Sequence, residues 1–96
     1  MQQYQVGSTP QEGTNVLVRT VTYHYVGRIS ALTDTYLTLT DAAWVADSGR
    51  FSTALATGFD STAEIEMYPP THAVWLILSN IVEITLWPHA LPTVTQ

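Results

Sequence analysis

Few side chains in this chain are of the kind that do covalent chemistry. It contains no cysteine, so a thiol nucleophile, a thiolate metal site and a disulfide are all excluded. Its histidines, His24, His72 and His89, lack the clustered spacing with other donors that a zinc site needs. Glu64 and Glu66 project from one face of an alternating stretch and could hold a divalent ion, but a solvated acidic face is the simpler reading. Serine and threonine are plentiful, yet none sits in a glycine-flanked nucleophile elbow, a phosphate-cradling loop or a histidine–carboxylate constellation. The expectation is a protein without catalysis, metal or cofactor.

Non-covalent chemistry has better candidates. Thr33-Asp34-Thr35-Tyr36 places two hydroxyls, a carboxylate and a phenol side by side. Tyr36 could stack on a base while the other three read its edge. As a plain hairpin turn, the same residues would have Asp34 bonding local backbone amides. Ser79-Asn80 is a second short polar break, readable as a contact loop or as a tight turn. Arg28, Arg19 and Arg50 could attract phosphate if repeated in an assembly, or could pair with carboxylates such as Glu64, Glu66 or Glu83.

The charge balance limits what such loops can bind. There is no lysine, and three arginines face eight carboxylates for a net charge of -5. Sequence-blind binding to duplex DNA rests on many cationic contacts to phosphate, so that class is disfavoured. The absence of cysteine points to the cytoplasm. No basic N-terminal region precedes an apolar run, and no apolar run approaches the roughly 20 residues of a membrane-spanning helix. A soluble protein with no membrane partner is expected.

The elements that must carry these loops can be read from period-two alternation. With 96 residues the chain makes one domain, and its valine, threonine, isoleucine and aromatic content suits pleated, half-buried surfaces. Residues 1–14 are polar and broken by Gly7, Pro10 and Gly13, which predicts a flexible arm. Alternation begins at Val16, with Val16 and Val18 on one face and Leu17 and Arg19 on the other. Residues 16–32 hold no strong turn pair. Either a hairpin turns near Thr22-Tyr23-His24, or one long strand bends at Gly27. Ile29 and Ala31, then Leu37 and Leu39, alternate on either side of Thr33-Asp34-Thr35, giving two antiparallel strands.

Asp47-Ser48-Gly49 breaks the next strand. Residues 50–57 can form two turns of helix, with Ser48 as cap and Gly58 at a left-handed end. Ala63, Ile65 and Met67 alternate with Glu64 and Glu66. Pro69-Pro70 turns the chain, 73–78 reads as a strand buried on both faces, and 81–87 forms the last strand. Trp44, Trp75 and Trp87 are expected as core or interface anchors. The domain spans residues 15–88, with 47–72 as a helix-and-hairpin insertion and 89–96 as a tail.

The order of these elements and two short segments resemble the Sm and LSm proteins, including the bacterial Hfq-type members. Gly27, Ile29, Asp34, Leu37 and Leu39 fit the first signature of that family, and Asp41-Ala42 resembles its usual end. Ile77-Leu78-Ser79-Asn80-Ile81-Val82 approximates the second. The departures concern ligand binding. Tyr36 or Leu37 stands where the eukaryotic and archaeal members hold a uracil with asparagine, Leu78-Ser79 replaces an arginine-glycine pair, and the bacterial lysine-histidine pattern is missing.

The resemblance implies a mostly β fold: a small, strongly bent, five-stranded open barrel. It also implies a cyclic homo-oligomer formed by pairing of the last two strands between copies. Thr33, Asp34, Thr35 and Tyr36 would line its first RNA-contacting loop, Ser79 and Asn80 its second, with Arg28 nearby. The function implied is a ring-forming nucleic-acid-binding module, for single-stranded RNA or DNA, in nucleic-acid processing. The alternative is a non-catalytic structural or adaptor ring, such as a phage accessory component; small Sm-like proteins of phage and marine metagenomic origin carry similar insertions.

Overall fold

The computed structural model describes residues 9–96; the expected arm falls partly on residues 1–8, outside the described residues. The elements are β1 (Asn15–Thr20), β2 (His24–Leu32), β3 (Tyr36–Asp47), α1 (Phe51–Thr57), β4 (Glu64–Met67), β5 (Val74–Ile77), a 3-10 turn at Leu78–Asn80 and β6 (Ile81–Leu86). They form one six-stranded antiparallel sheet in the order β4-β3-β2-β1-β6, with β5 also pairing β3. The sheet does not close on itself. No helix among the described residues is long and apolar enough to cross a membrane.

A hairpin joins β1 and β2, so the version with one continuous bent strand does not hold. The Thr20 N–H and hydroxyl both donate to the Tyr23 carbonyl, at 2.8 and 2.7 Å. No Asn-Gly or Asp-Gly pair is needed, because the threonine side chain closes the turn.

Alternation along the strands builds two cores, one on each side of the sheet. Val16, Val18, Ile29, Leu37, Leu39, Ala42 and Leu76 fill one side. Leu17, Val26, Ala43, Val45, Ile65 and Trp87 fill the other, covered by Ala54 of α1 and by Phe51, Leu55, Phe59 and Leu91. The middle of β1 is therefore buried on both faces, which is why Val16-Leu17-Val18 is a continuous apolar run.

One residue in β3 changes which face the alternation serves. Leu39 and Ala42 both face the first of these cores although three positions apart, and Asp41 between them has a left-handed φ of 49°. The pairing of β2 with β3 jumps at this place, from Val26↔Ala43 to Arg28↔Thr40. This is a β-bulge, and it sends the odd-numbered Ala43 and Val45 to the opposite core from Leu37 and Leu39. Gly27 faces the bulge because a Cβ there would lie 3.1 Å from the Leu39 Cβ and 3.2 Å from the Ala42 Cβ. Its glycine reflects close strand approach.

Below the bulge β3 pairs with β5, from Tyr36↔Ile77 to Leu39↔Val74; above it, β3 pairs with β4, from Ala43↔Met67 to Asp47↔Glu64. Glu64–Met67 thus joins the main sheet as a sixth strand, where a five-stranded barrel with a separate inserted hairpin was expected. The alternation in β4 is as read: Ala63 and Ile65 are buried, and Glu64 and Glu66 are exposed.

Three local expectations are corrected. The Ser48 hydroxyl bonds the Gly49 carbonyl, and α1 starts after Arg50 with no side-chain cap. Gly58 has φ 92° but an extended ψ of 173°, and its N–H donates to the Ala54 carbonyl without completing a left-handed helix end. Strand 73–78, expected to be buried on both faces, buries Leu76 alone: Trp75 is 71% and Ile77 46% exposed.

The segment after β6 packs against the fold. The His89 ring nitrogen lies 2.8 Å from the Leu55 carbonyl, and Leu91 packs on the outer core. Gln96 exchanges both backbone hydrogen bonds with Ile65, at 2.7 and 2.9 Å. The outer edge of β4 is thereby occupied. Residues 13–14 likewise bond β2 at Ile29, which ties down the end of the expected arm.

Candidate functional site

The two polar loops singled out from the sequence meet in space. The turn between β2 and β3 is organised by Thr33, whose hydroxyl oxygen accepts from the Thr35 and Tyr36 N–H groups at 3.2 and 3.0 Å. The Thr33 N–H donates to the Tyr36 carbonyl at 2.9 Å. Asp34, which on the plain-turn reading would have bonded these backbone amides, is exposed and takes no part in these bonds. The Leu78 N–H then donates to the Thr35 carbonyl at 2.9 Å, joining the 3-10 turn to this hairpin. Ser79 and Asn80 are exposed beside it.

Aromatic surface flanks the junction. Tyr36, 42% exposed, and Trp75 have ring centroids 6.2 Å apart in a tilted arrangement. Their positions follow from the register, since Tyr36 pairs with Ile77 and Thr38 with Trp75 on neighbouring strands. A groove of about 490 Å³ runs between Trp75 and Ile77 on one side and the β1–β2 hairpin at Val21 and Thr22 on the other, with Tyr25 and Asn80 in its lining. The alternation of 73–78 marks Trp75 as apolar, but it does not show that the side chain stays outside the core.

Arg28 is not part of this junction. It lies in mid-β2, opposite Asn15 and Thr40, and its guanidinium is ion-paired with Asp41 on the bulge. Sequence reasoning missed this partner because no glycine or proline within β3 marks the bulge that carries Asp41. Arg19 pairs with Glu83 across β1 and β6 at 2.8 Å and lies over the Phe51 ring at 5.1 Å. Both ion pairs are about half exposed and stabilise the fold by less than about 1 kcal/mol each. Arg50 forms no ion pair among the described residues.

Three titratable side chains among the described residues, His24, Tyr68 and Asp60, are shifted from their ordinary pKa values. Burial lowers the pKa of His24 below its ordinary value of 6.5, and the Arg19 charge lowers it further against the opposing effect of Glu83. Its ring packs edge-on to Phe51 at 6.1 Å. Because the folded-state pKa lies below that of the unfolded chain, the unfolded chain binds the extra proton. Folding stability should therefore hold above about pH 6.5 and decline as pH falls through it, and His24→Gln should flatten that decline in thermal melts between neutral and mildly acidic pH.

Burial raises the pKa of Tyr68, reinforced by Tyr25, so its phenol remains protonated. The Asp60 carboxyl is held below its ordinary value chiefly by the Thr62 hydroxyl. No group of three or more histidine, cysteine or carboxylate side chains among the described residues is placed to hold a metal ion.

Comparison with protein-family models, with curated proteins and with solved structures found no match for this chain.

Proposed function

We infer that the chain is a ring-forming, Sm-like module that binds single-stranded RNA through its joined loops. The observation that carries this reading is the hydrogen-bonded junction of the Thr33–Tyr36 turn with the Leu78–Asn80 turn, beside the Tyr36 and Trp75 rings. Aromatic faces stack on any base, whereas hydroxyl, amide and carboxylate groups can read base edges. Assembly is supported by the strands on either side of the 3-10 turn. Among the described residues, β5 and β6 are each paired along one edge, carry exposed Trp75 and Ile77 or Val82 and Leu86, and have no lysine to protect them. Such edges are satisfied when β5 of one copy pairs with β6 of the next around a closed ring. Closure would repeat the loop junction around a central opening, so that weak contacts act together.

A structural or adaptor ring is the second reading, and the ion pairing favours it. Arg19 and Arg28 are neutralised by Glu83 and Asp41, on a chain of net charge -5. The RNA-binding reading therefore predicts stacking-driven affinity with a shallow salt dependence. Fluorescence anisotropy of labelled oligo-U and of mixed-sequence single-stranded DNA, titrated with the assembled protein at low and then rising salt, tests it. Tyr36→Ala should weaken binding by about 1–3 kcal/mol per stacked base without changing the assembled mass. An intact ring that retains neither oligonucleotide at low salt would leave the adaptor reading.

A further inference from the structure

A second cleft, on a different part of the fold, has features that the ring and its loops do not use. It encloses about 380 Å³ and is lined by residues from β1, β2, β3, the end of β4 and the segment after β6. Asn15, Arg28, Asp41 and Thr93 supply polar groups to its lining, and Met67, Tyr68 and Leu91 contribute to its walls. The volume falls in the range of small-molecule sites, and few polar groups against mostly apolar walls is their usual make-up.

The backbone is distorted at this point. Asp41 is the only non-glycine residue among the described residues with positive φ, and the β2–β3 register jumps beside it. A bulge re-aims side chains, and here the carboxylate of the bulge residue stands next to the Arg28 guanidinium. Both side chains keep more than two-fifths of their surface exposed, so a ligand can reach them and the pair opens at little cost.

The charges select the ligand. A simple anion would meet Asp41 and the overall negative charge of the chain, and a simple cation would meet Arg28. A molecule carrying both charges side by side satisfies both, with its carboxylate on Arg28 and its ammonium on Asp41. An apolar side chain on the same molecule would lie against Met67 and Leu91. We propose that this cleft is a binding site for a free α-amino acid with an apolar side chain, its two charged groups inserting between Arg28 and Asp41. The site is independent of ring formation and of RNA binding.

The test is NMR titration of the full chain with free phenylalanine and leucine, against phenylacetate, phenethylamine and the doubly blocked N-acetylphenylalaninamide. A free amino acid is expected to shift the amides of Asn15, Arg28, Asp41 and Tyr68 with a Kd on the order of 1 mM or tighter, and each analogue should bind at least about tenfold more weakly. Arg28→Gln and Asp41→Asn should each weaken binding about tenfold or more. Asparagine tolerates the left-handed backbone at position 41, so that variant should fold. A normal circular dichroism spectrum for both variants separates lost binding from lost structure. Shifts of equal size with all the analogues would overturn the proposal, as would no shift at these residues with about 10 mM amino acid or unchanged affinity in the folded variants.

Discussion

Trp87→Ala should cost about 3–5 kcal/mol, the usual range for truncating a buried tryptophan. On a domain of this size each kcal/mol lowers the melting temperature by roughly 4–8 °C, so thermal denaturation should shift by more than 10 °C or show no folded baseline at all. The indole is 2% exposed and lies between Phe59, 4.5 Å away, and His89, 4.8 Å away. Its N–H donates to the Ala90 carbonyl at 3.3 Å, and its backbone N–H donates to the Asn15 carbonyl at 2.9 Å. Removing the ring leaves a void in the core that Ala54 of α1 covers, and Leu91 loses part of the surface it packs against. Trp87→Phe keeps the packing with Phe59 but loses the bond to Ala90, and should recover most of the loss. Equal melting temperatures for Trp87→Ala and the parent would contradict the assignment of this residue to the outer core.

Val82→Lys should leave the protomer folded and abolish assembly. Val82 is 61% exposed on β6, where a surface substitution ordinarily changes stability by no more than about 0.5 kcal/mol. In a ring the same residue would be covered by β5 of the neighbouring copy, and a buried unpaired ammonium at every interface costs on the order of 2 kcal/mol or more. Light scattering behind size-exclusion chromatography should move from a multiple of the protomer mass to the protomer mass, with an unchanged circular dichroism spectrum. Ile77→Lys, on the opposite edge at β5, should do the same. A parent protein that already runs as a monomer at micromolar concentration would remove the ring from the proposed function.

Most of the sheet was legible because its signal is local. The alternation at Val16 to Val18, Ile29 to Ala31, Leu37 to Leu39 and Ala63 to Met67 reports one buried face at a time, and each run became a strand in the expected place. The helix was legible from Phe51, Ala54 and Leu55, though not its start, since Ser48 bonds its neighbour's carbonyl instead of capping. What failed depends on partners distant in sequence. The bulge at Asp41 turns the second half of β3 toward the other core, where β4 pairs with it, and an aspartate in a strand carries no mark of a left-handed backbone.

Strand 73–78 read as doubly buried because Trp75 and Ile77 are as apolar as Leu76; an apolar residue does not reveal whether its cover comes from its own chain or from another. The two-loop junction was anticipated only through the family resemblance. The Leu78 to Thr35 bond that holds it follows from the β3–β5 register, which neither loop encodes alone. Arg28 shows the same limit: its charge was visible in the sequence, but its partner was set by the bulge.

The division of β3 between two cores has a consequence for how the molecule comes apart. Leu37, Leu39 and Ala42 belong to one cluster and Ala43 and Val45 to the other, all on a single twelve-residue strand. β1 is shared in the same way through Val16 and Val18 on one side and Leu17 on the other. Neither cluster can lose its strands while the other keeps its own. The domain should therefore melt as one unit despite its two cores, with the slowest-exchanging amides of both sides reporting the same opening free energy.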